Sequence, residues 1–430
     1  MMPMAFDPSR IVRPFTRKGW GHWLRFALLL AAASYLGHLL STSPWLTEFR
    51  YSMYHRQLLM RDRPQLYPTR TALVLLDDDD YWGDTFQSRT PLKRNELAEV
   101  LDKLETAGVN TVAFDVDLRS PRPQQPGLEF ADYKAEDEEL FAAIRRMCAS
   151  DRHVVLASSV QFGDDGYQEM PSIYTSALKL MPCVKTGYIQ MPFDMRQIPG
   201  AVDLSDGGHL DSMALAVTGI ADPTAYALAV ANKGKGFRFS EYLTEADFAP
   251  KNGRQFIFSG QQLRTMDNAT LRGQLADKLV FVGAHWHSDA YGAGPFVDLH
   301  NSPGGMEPGV MLHANYVEAL LDRTGTFTAI STSTAELLEI GLALVLAMIG
   351  VLEIHTAWKW AAFSSGLVLS ILFTYVLLQN LGVFLDFAIP ILMIILHTVA
   401  EEALKVWHEF RHLKHNAIHK PQTEAPGGQR

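Results

Sequence analysis

The placement of apolar residues constrains this chain more than any motif. Long apolar runs crowd its two ends, and a polar, mixed sequence fills the middle. A helix that spans a bilayer needs roughly 20 mostly apolar residues, because lipid offers its backbone no other bonding partner. Four segments reach that length: residues 20–40, 335–354, 358–378 and 384–400. Arg10, Arg13, Arg17, Lys18 and Arg25 precede or open the first, and Lys359 stands between the second and third. The loop 379–386 carries no Lys or Arg, whereas Lys405, Arg411, Lys414, Lys420 and Arg430 come after the fourth segment. Basic residues mark the cytoplasmic side. One path satisfies them all: residues 1–19 inside, 46–333 outside, the Lys359 loop inside, the Asn380 loop outside, and the tail 401–430 inside. Ala31-Ala32-Ala33 falls within the first apolar run and not after it, so that run is expected to be an uncleaved anchor rather than a signal peptide. The expected location is a bacterial inner membrane, crossed four times, with the main domain periplasmic and both termini cytoplasmic.

The net charge of -9 argues against a nucleic-acid partner, since phosphate binding needs clustered Lys and Arg. The two cysteines, Cys148 and Cys183, leave two readings open: a bridge formed in an oxidising compartment, or two free buried thiols. The free thiols are the expectation.

Between Leu46 and Ser333 strand and helix signals alternate. Ala72 to Leu76, Thr111 to Phe114 and His153 to Ala157 read as strands, and Phe256 to Ser259 and Lys278 to Val282 as later ones. Thr90-Pro91 predicts a helix start, with Leu97, Val100, Leu101 and Leu104 on one face and Gly108 closing it. Leu140, Phe141, Ile144 and Met147 form the face of a second helix, and Val310 to Leu321 is a third. Stretches 119–127 and 205–211 are expected to be loops. Strand, crossover helix and strand, twice over, imply an α/β domain with a mostly parallel sheet.

Four runs carry a resemblance: TALVLLDDDDYWGD, LDKLETAGVNTVAFDVDLRSP, LADKLVFVGAHWHSD and GVMLHANYVEALLD, in that order from Thr71 to Asp322. Together with LGVFLDFAIP before the last apolar segment, and one apolar segment before the domain and three after it, they resemble the CHASE type-two domain. This is the extracellular sensing domain associated with cyclases and histidine kinases. The resemblance implies reception of an outside signal. Family members usually carry a cyclase, kinase or diguanylate cyclase after the last helix. Here that place is taken by the short stretch 401–430, so a version without a catalytic output domain, acting through a separate partner, is the expectation.

In open parallel sheets, ligands bind beyond the carboxyl ends of the strands. Those ends are acidic here, so Asp77, Asp79, Asp115, Asp117 and Asp289 are candidate ligand-binding residues. His285, His287 and Asp289 have the side-chain types that suit Zn or Mn, and on an extended segment all three face one side, so a divalent metal is a candidate cofactor. The family tends to have small residues where His285 and His287 sit, while its pattern includes the acid at Asp289. Asp115-Val116-Asp117 resembles a phosphatase nucleophile pair, but Leu118 and Arg119 do not continue that motif. His313 shares a helical stripe with Tyr316, Val317 and Leu320 and reads as a packed core residue. No catalytic motif stands out.

In the tail, Ala403, Val406, Phe410, Leu413 and Ala417 recur at heptad-like spacing. That seam suits a cytoplasmic or membrane protein partner, a second copy of the chain as a homodimer, or the lipid surface. The function that fits best is a membrane signal receiver for an unknown periplasmic ligand. A metal-dependent periplasmic enzyme and a structural component of an envelope complex are the alternatives.

Overall fold

The computed structural model describes residues 44–59, 67–119, 130–163, 166–170, 181–192, 194–231, 243–322 and 326–328, with scattered positions elsewhere. Its central sheet is built from β1 (Thr71–Leu76), β2 (Thr111–Asp115), β3 (His153–Gly163), β4 (Gly166–Met170), β5 (Val184–Tyr188), β6 (Ile257–Ser259) and β7 (Leu279–Ala284). The order is β6-β1-β7-β2-β3. Strand β5 runs parallel to the first part of β3, and β4 turns back antiparallel along its end. The remaining pairings are parallel. Every residue of β1 and β2 is buried. Strands covered on both faces read as unbroken apolar runs, as β1 does, rather than as an alternating pattern.

The larger helices are α1 (Pro44–Leu59), α2 (Arg94–Ala107), α3 (Phe130–Ala149), α4 (Met213–Ala221), α5 (Pro223–Ala231), α6 (Gly260–Thr265), α7 (Asn268–Leu275) and α8 (Gly309–Leu321). Val74, Leu76, Val112, Phe114, Val280 and Val282 join the stripes of α2 and α3, including Leu97, Leu101, Leu104, Leu140, Ile144 and Met147, in one core. Strand alternation turns Leu73, Ala113 and Phe281 to the opposite face, where α4 and α8 pack. The domain is thus a three-layer α/β sandwich.

All thirteen residues of α8 are buried. Its carboxylate Glu318 accepts from the backbone N–H of Arg70 (2.8 Å) and Thr71 (2.7 Å) and from the Thr71 hydroxyl (2.8 Å), tying the helix to the start of β1. The helix lies close on the sheet because Gly283 has no side chain: a Cβ there would stand 2.6 Å from Val310 Cβ. Gly283→Ala is therefore expected to cost about 1–3 kcal/mol through overpacking, read as a lowered midpoint in urea unfolding with an unchanged slope.

Several expectations are corrected. Helix α2 starts at Arg94, not at Pro91. The Thr90 hydroxyl is bonded to Tyr81 Oη at 2.7 Å, so it does not serve as a cap, and Lys93 at the N-cap makes no side-chain capping bond. Gly108 does close the helix, in the left-handed region at φ 85. The stretch 205–211 is not all loop: Ala201–Asp203 and His209–Asp211 pair as an antiparallel ribbon. Of the stretch 119–127, only Arg119 is described. Cys148 and Cys183 are bridged, with Cα atoms 5.6 Å apart, and not free, because β3 and its partner β5 bring the last turn of α3 beside the start of β5.

Two units divide the chain: residues 48–330 with 378–383 make one, and the remaining terminal segments the other. Among the described residues no helix is long and apolar enough to cross a membrane. Much of the expected spans lies outside the described residues. Those retain Leu28, Ala31, Ala32 and Tyr35 of the first, Leu337, Leu338 and Gly341 of the second, residues 364–366, 368–369 and 371–377 of the third, and none of the fourth. Of the tail seam, Val406 and Phe410 are described, both helical and exposed.

Candidate functional site

The carboxyl ends of β1, β7 and β2 lie side by side, in the register Leu76 with Ala284 and Gly283 with Asp115. The residues just beyond each strand determine the chemistry of this edge. After β1 the chain makes a single turn, Asp78–Tyr81, capped by Asp77, whose Oδ1 accepts the Asp80 N–H at 3.1 Å. Burial, and then the charges of Asp80 and Asp79, raise the Asp77 pKa against the lowering effect of that hydrogen bond. Asp79 is exposed. Asp80 is fully buried: it accepts the Gly260 N–H at the start of α6 (2.9 Å) and pairs with the Arg264 guanidinium (2.5 Å).

Asp78 meets the segment after β7. It accepts the His287 backbone N–H at 2.7 Å, and its other oxygen lies 2.6 Å from His287 Nδ1. Burial works to raise the Asp78 pKa, and the hydrogen bonds and charge of His287 outweigh it, so the net shift is downward. Both imidazoles stack on Phe296, His285 at 4.6 Å and His287 at 3.7 Å between centroids. Phe296 ends β9 (Ala293–Phe296), which pairs with β8 (His287–Asp289). His285 Nδ1 is buried without a hydrogen-bond partner, and burial lowers its pKa against the pull of Glu245. Asp289 is exposed beside Gly294. Among the described residues, no three His, Cys, Asp or Glu side chains are grouped to hold a metal ion. Ring stacking and the Asp78 contact account for where His285 and His287 point.

Asp115 and Asp117 part company at the end of β2. Asp117 turns outward to Arg119, bonded at 2.6 Å to its NH2 group. Burial works to raise its pKa, and the bonds from Arg119 bring it below the usual range. The carbonyls of Asp117 and Arg119 are in turn held by Arg94, which is buried. Asp115 points into the domain. Its Oδ2 has no hydrogen-bond partner and stands 3.9 Å from Nε2 of His313 on α8. His313 is fully buried, and its ring meets the Ile189 backbone in a contact too poor in geometry for a full hydrogen bond. Burial pushes the Asp115 pKa well up, with the nearby charge of Asp298 adding to it, and pushes His313 down to about 4. Asp298, between β9 and β10 (Leu299–Ser302), binds His300 Nε2 at 2.9 Å, and its backbone carbonyl accepts the Gly309 N–H at the start of α8.

The candidate acids of this edge take separate partners. The sequence grouped Asp77, Asp79, Asp115, Asp117 and Asp289; of these, Asp79, Asp117 and Asp289 are exposed, Asp77 caps a turn and Asp115 is buried. It missed Asp78, Asp298 and His300, and it read His313 as core packing. The His313 reading holds as far as burial goes. What it lacked was the facing acid, because Asp115 and His313 meet only after α8 folds over β7.

A family model of the CHASE2 domain matches residues 26–351. The chain belongs to the CHASE2 family. CHASE2 domains are extracellular, non-catalytic sensory domains of signalling proteins, so a sensory role follows for this chain. The match spans the whole α/β sandwich and continues into the apolar segments on either side. No curated protein and no solved structure gives a match.

Proposed function

We propose that this CHASE2 chain is an inner-membrane receiver. Its α/β domain lies in the periplasm, four helices hold it, and it passes its signal to a separate membrane or cytoplasmic protein. The observation that carries the reading is the CHASE2 match across residues 26–351, since domains of this family are sensory and extracellular. Two further features support the location. The Cys148–Cys183 bridge suits an oxidising compartment. Leu28, Tyr35, Leu369, Leu372 and Phe373 are each more than half exposed in the terminal segments, apolar surface that lipid would cover. The signal enters at the carboxyl edge of the sheet, where buried, unsatisfied side chains face α8. The output is a contact through the tail seam at Val406 and Phe410, made with a partner or a second copy.

Reporter fusions test this path. Alkaline phosphatase, which needs an oxidising compartment, is expected to be active when fused after Ser331 or within 379–386, and inactive after Lys359 or at the C-terminus. Activity at the C-terminus, or its loss after Ser331, overturns the topology and the receiver reading with it.

A further inference from the structure

The Asp115–His313 pair is an unusual arrangement for a core. A carboxyl and an imidazole, from a strand end and a buried helix, stand 3.9 Å apart; the facing oxygen has no hydrogen-bond partner, and the imidazole makes a marginal contact to the Ile189 backbone. Buried polar groups left this way weaken a fold unless something satisfies them or the site is built to change state. A metal would need further ligands, and none are grouped here among the described residues. A proton needs no cavity and no third ligand.

The groups around the pair are few. Asp298 and His300 act on His313, and Asp298 on Asp115. Tyr316 lies edge-on to the His313 ring at 6.4 Å, and the Ile189 backbone faces it beyond β5. Tyr188 of β5 is bonded to the Gly200 carbonyl, Tyr226 of α5 to Asp211, and Glu307 before α8 to Ser302. Helix α4 carries no titratable residue, and β7 presents Gly283. Among the described residues, His313, at 3.9 Å, is the basic group within ion-pair distance of Asp115.

We propose that Asp115 and His313 form a one-proton lock. A single proton, carried on Asp115 opposite a neutral His313, lets α8 close over the sheet edge, and loss of that proton as the outside pH rises releases the helix. The proposal rests on the receiver reading above and names its signal as the proton. The step is one deprotonation: the Asp115 O–H bond breaks, its electron pair stays on the carboxylate, and the proton passes to water. No electron leaves the site.

Linkage fixes the direction. Closed, the pair holds one proton, because burial lifts Asp115 and pushes His313 down to about 4. Opened to water, the two groups return toward their ordinary values of 3.8 and 6.5. Between those values the open pair also holds one proton, now on His313, so opening is independent of pH. Above 6.5 the open pair holds none, and opening is favoured for as long as Asp115, raised by burial, keeps its proton in the closed pair. Opening then grows about tenfold per pH unit until Asp115 itself ionises. Helix α8 is the element released, and the chain runs from its end at Leu321 toward the segment 335–354.

Amide hydrogen exchange on the full-length chain in lipid nanodiscs tests the lock. Exchange in α8 is taken relative to α2, which cancels the intrinsic pH dependence of the chemistry. In the wild type the ratio is expected to stay flat from pH 4.5 to 6.5 and to rise about tenfold per unit above that. His313→Gln leaves Asp115 alone, so the rise should begin at lower pH. Asp115→Asn leaves His313 alone, so the slope should reverse, with opening increasing as pH falls from 6.5 toward 4. A wild-type ratio that does not change between pH 6.5 and 8.5 overturns the lock, as do two variants with slopes of the same sign. If one variant fails to fold, the wild-type profile and the other variant decide. Flat exchange with the fusions as expected removes the lock and leaves the receiver; a responding α8 with failed fusions removes the receiver and leaves the lock.

Discussion

Asp80→Ala is expected to destabilise the α/β domain by about 3–5 kcal/mol, more than the other substitutions named for this domain. Asp80 is buried and Arg264 nearly so, with 15% of the arginine side chain accessible. Removing the acid strands a guanidinium whose remaining acidic neighbour is Glu96 at 3.9 Å. It also strips the Gly260 N–H at the start of α6 of its acceptor. An unpaired buried charge is more costly than the pair was worth, so the double variant Asp80→Ala/Arg264→Met should be less damaged than the sum of its singles. Thermal melting of the four proteins of this cycle measures the coupling, with a fall of order 10 °C expected for Asp80→Ala alone. A loss below about 1 kcal/mol, the level of exposed pairs, would show that water reaches Arg264 and that the pair does not hold α6 to the turn after β1.

Second in size is the bridge. Cys148 closes α3 and Cys183 precedes β5, with 35 residues of separation. Linking them removes conformational freedom from the unfolded chain, so Cys148→Ala/Cys183→Ala should cost roughly 3–4 kcal/mol. Reductant should lower the midpoint of the wild type by a similar amount and leave the double variant unchanged. Alkylation before and after reduction counts the thiols. Two thiols reactive without reductant in protein taken from its native compartment would mean that the bridge does not form there.

The fates of the four consecutive aspartates explain how far sequence reasoning reached. Asp77 to Asp80 were legible as an acidic strand end, since Leu76 stops the apolar run and four acids come next. Their roles were not legible. Asp77 caps the turn, Asp78 faces His287, Asp79 is exposed and Asp80 is buried against Arg264. One turn of helix rotates neighbours by about 100° each, so four identical side chains point in four directions. Each then meets whatever distant segment lies there: β8 for Asp78, α6 for Asp80. For His285 and His287 the sequence likewise showed their side but not what covers it. Period-two geometry did place both rings on one side, but Phe296 from the returning strand β9 occupies that side.

Local and periodic features were legible in the order of amino acids alone. The α2 stripe from Leu97 to Leu104 and the Gly108 stop come from the helical period and from glycine's freedom at positive φ. The alternation of strand and helix signals implied a mostly parallel sheet. The four quoted runs pointed to the CHASE2 family, and the match bears that out. Folding in three dimensions settled everything that depends on two distant segments meeting. It inserted β7 between β1 and β2, joined Cys148 to Cys183, tied Glu318 to Thr71, and laid His313 against Asp115. Periodicity tells which face of an element is apolar, but not which partner covers it. A buried carboxyl and a buried imidazole look like ordinary neighbours of core residues until packing removes the water between them.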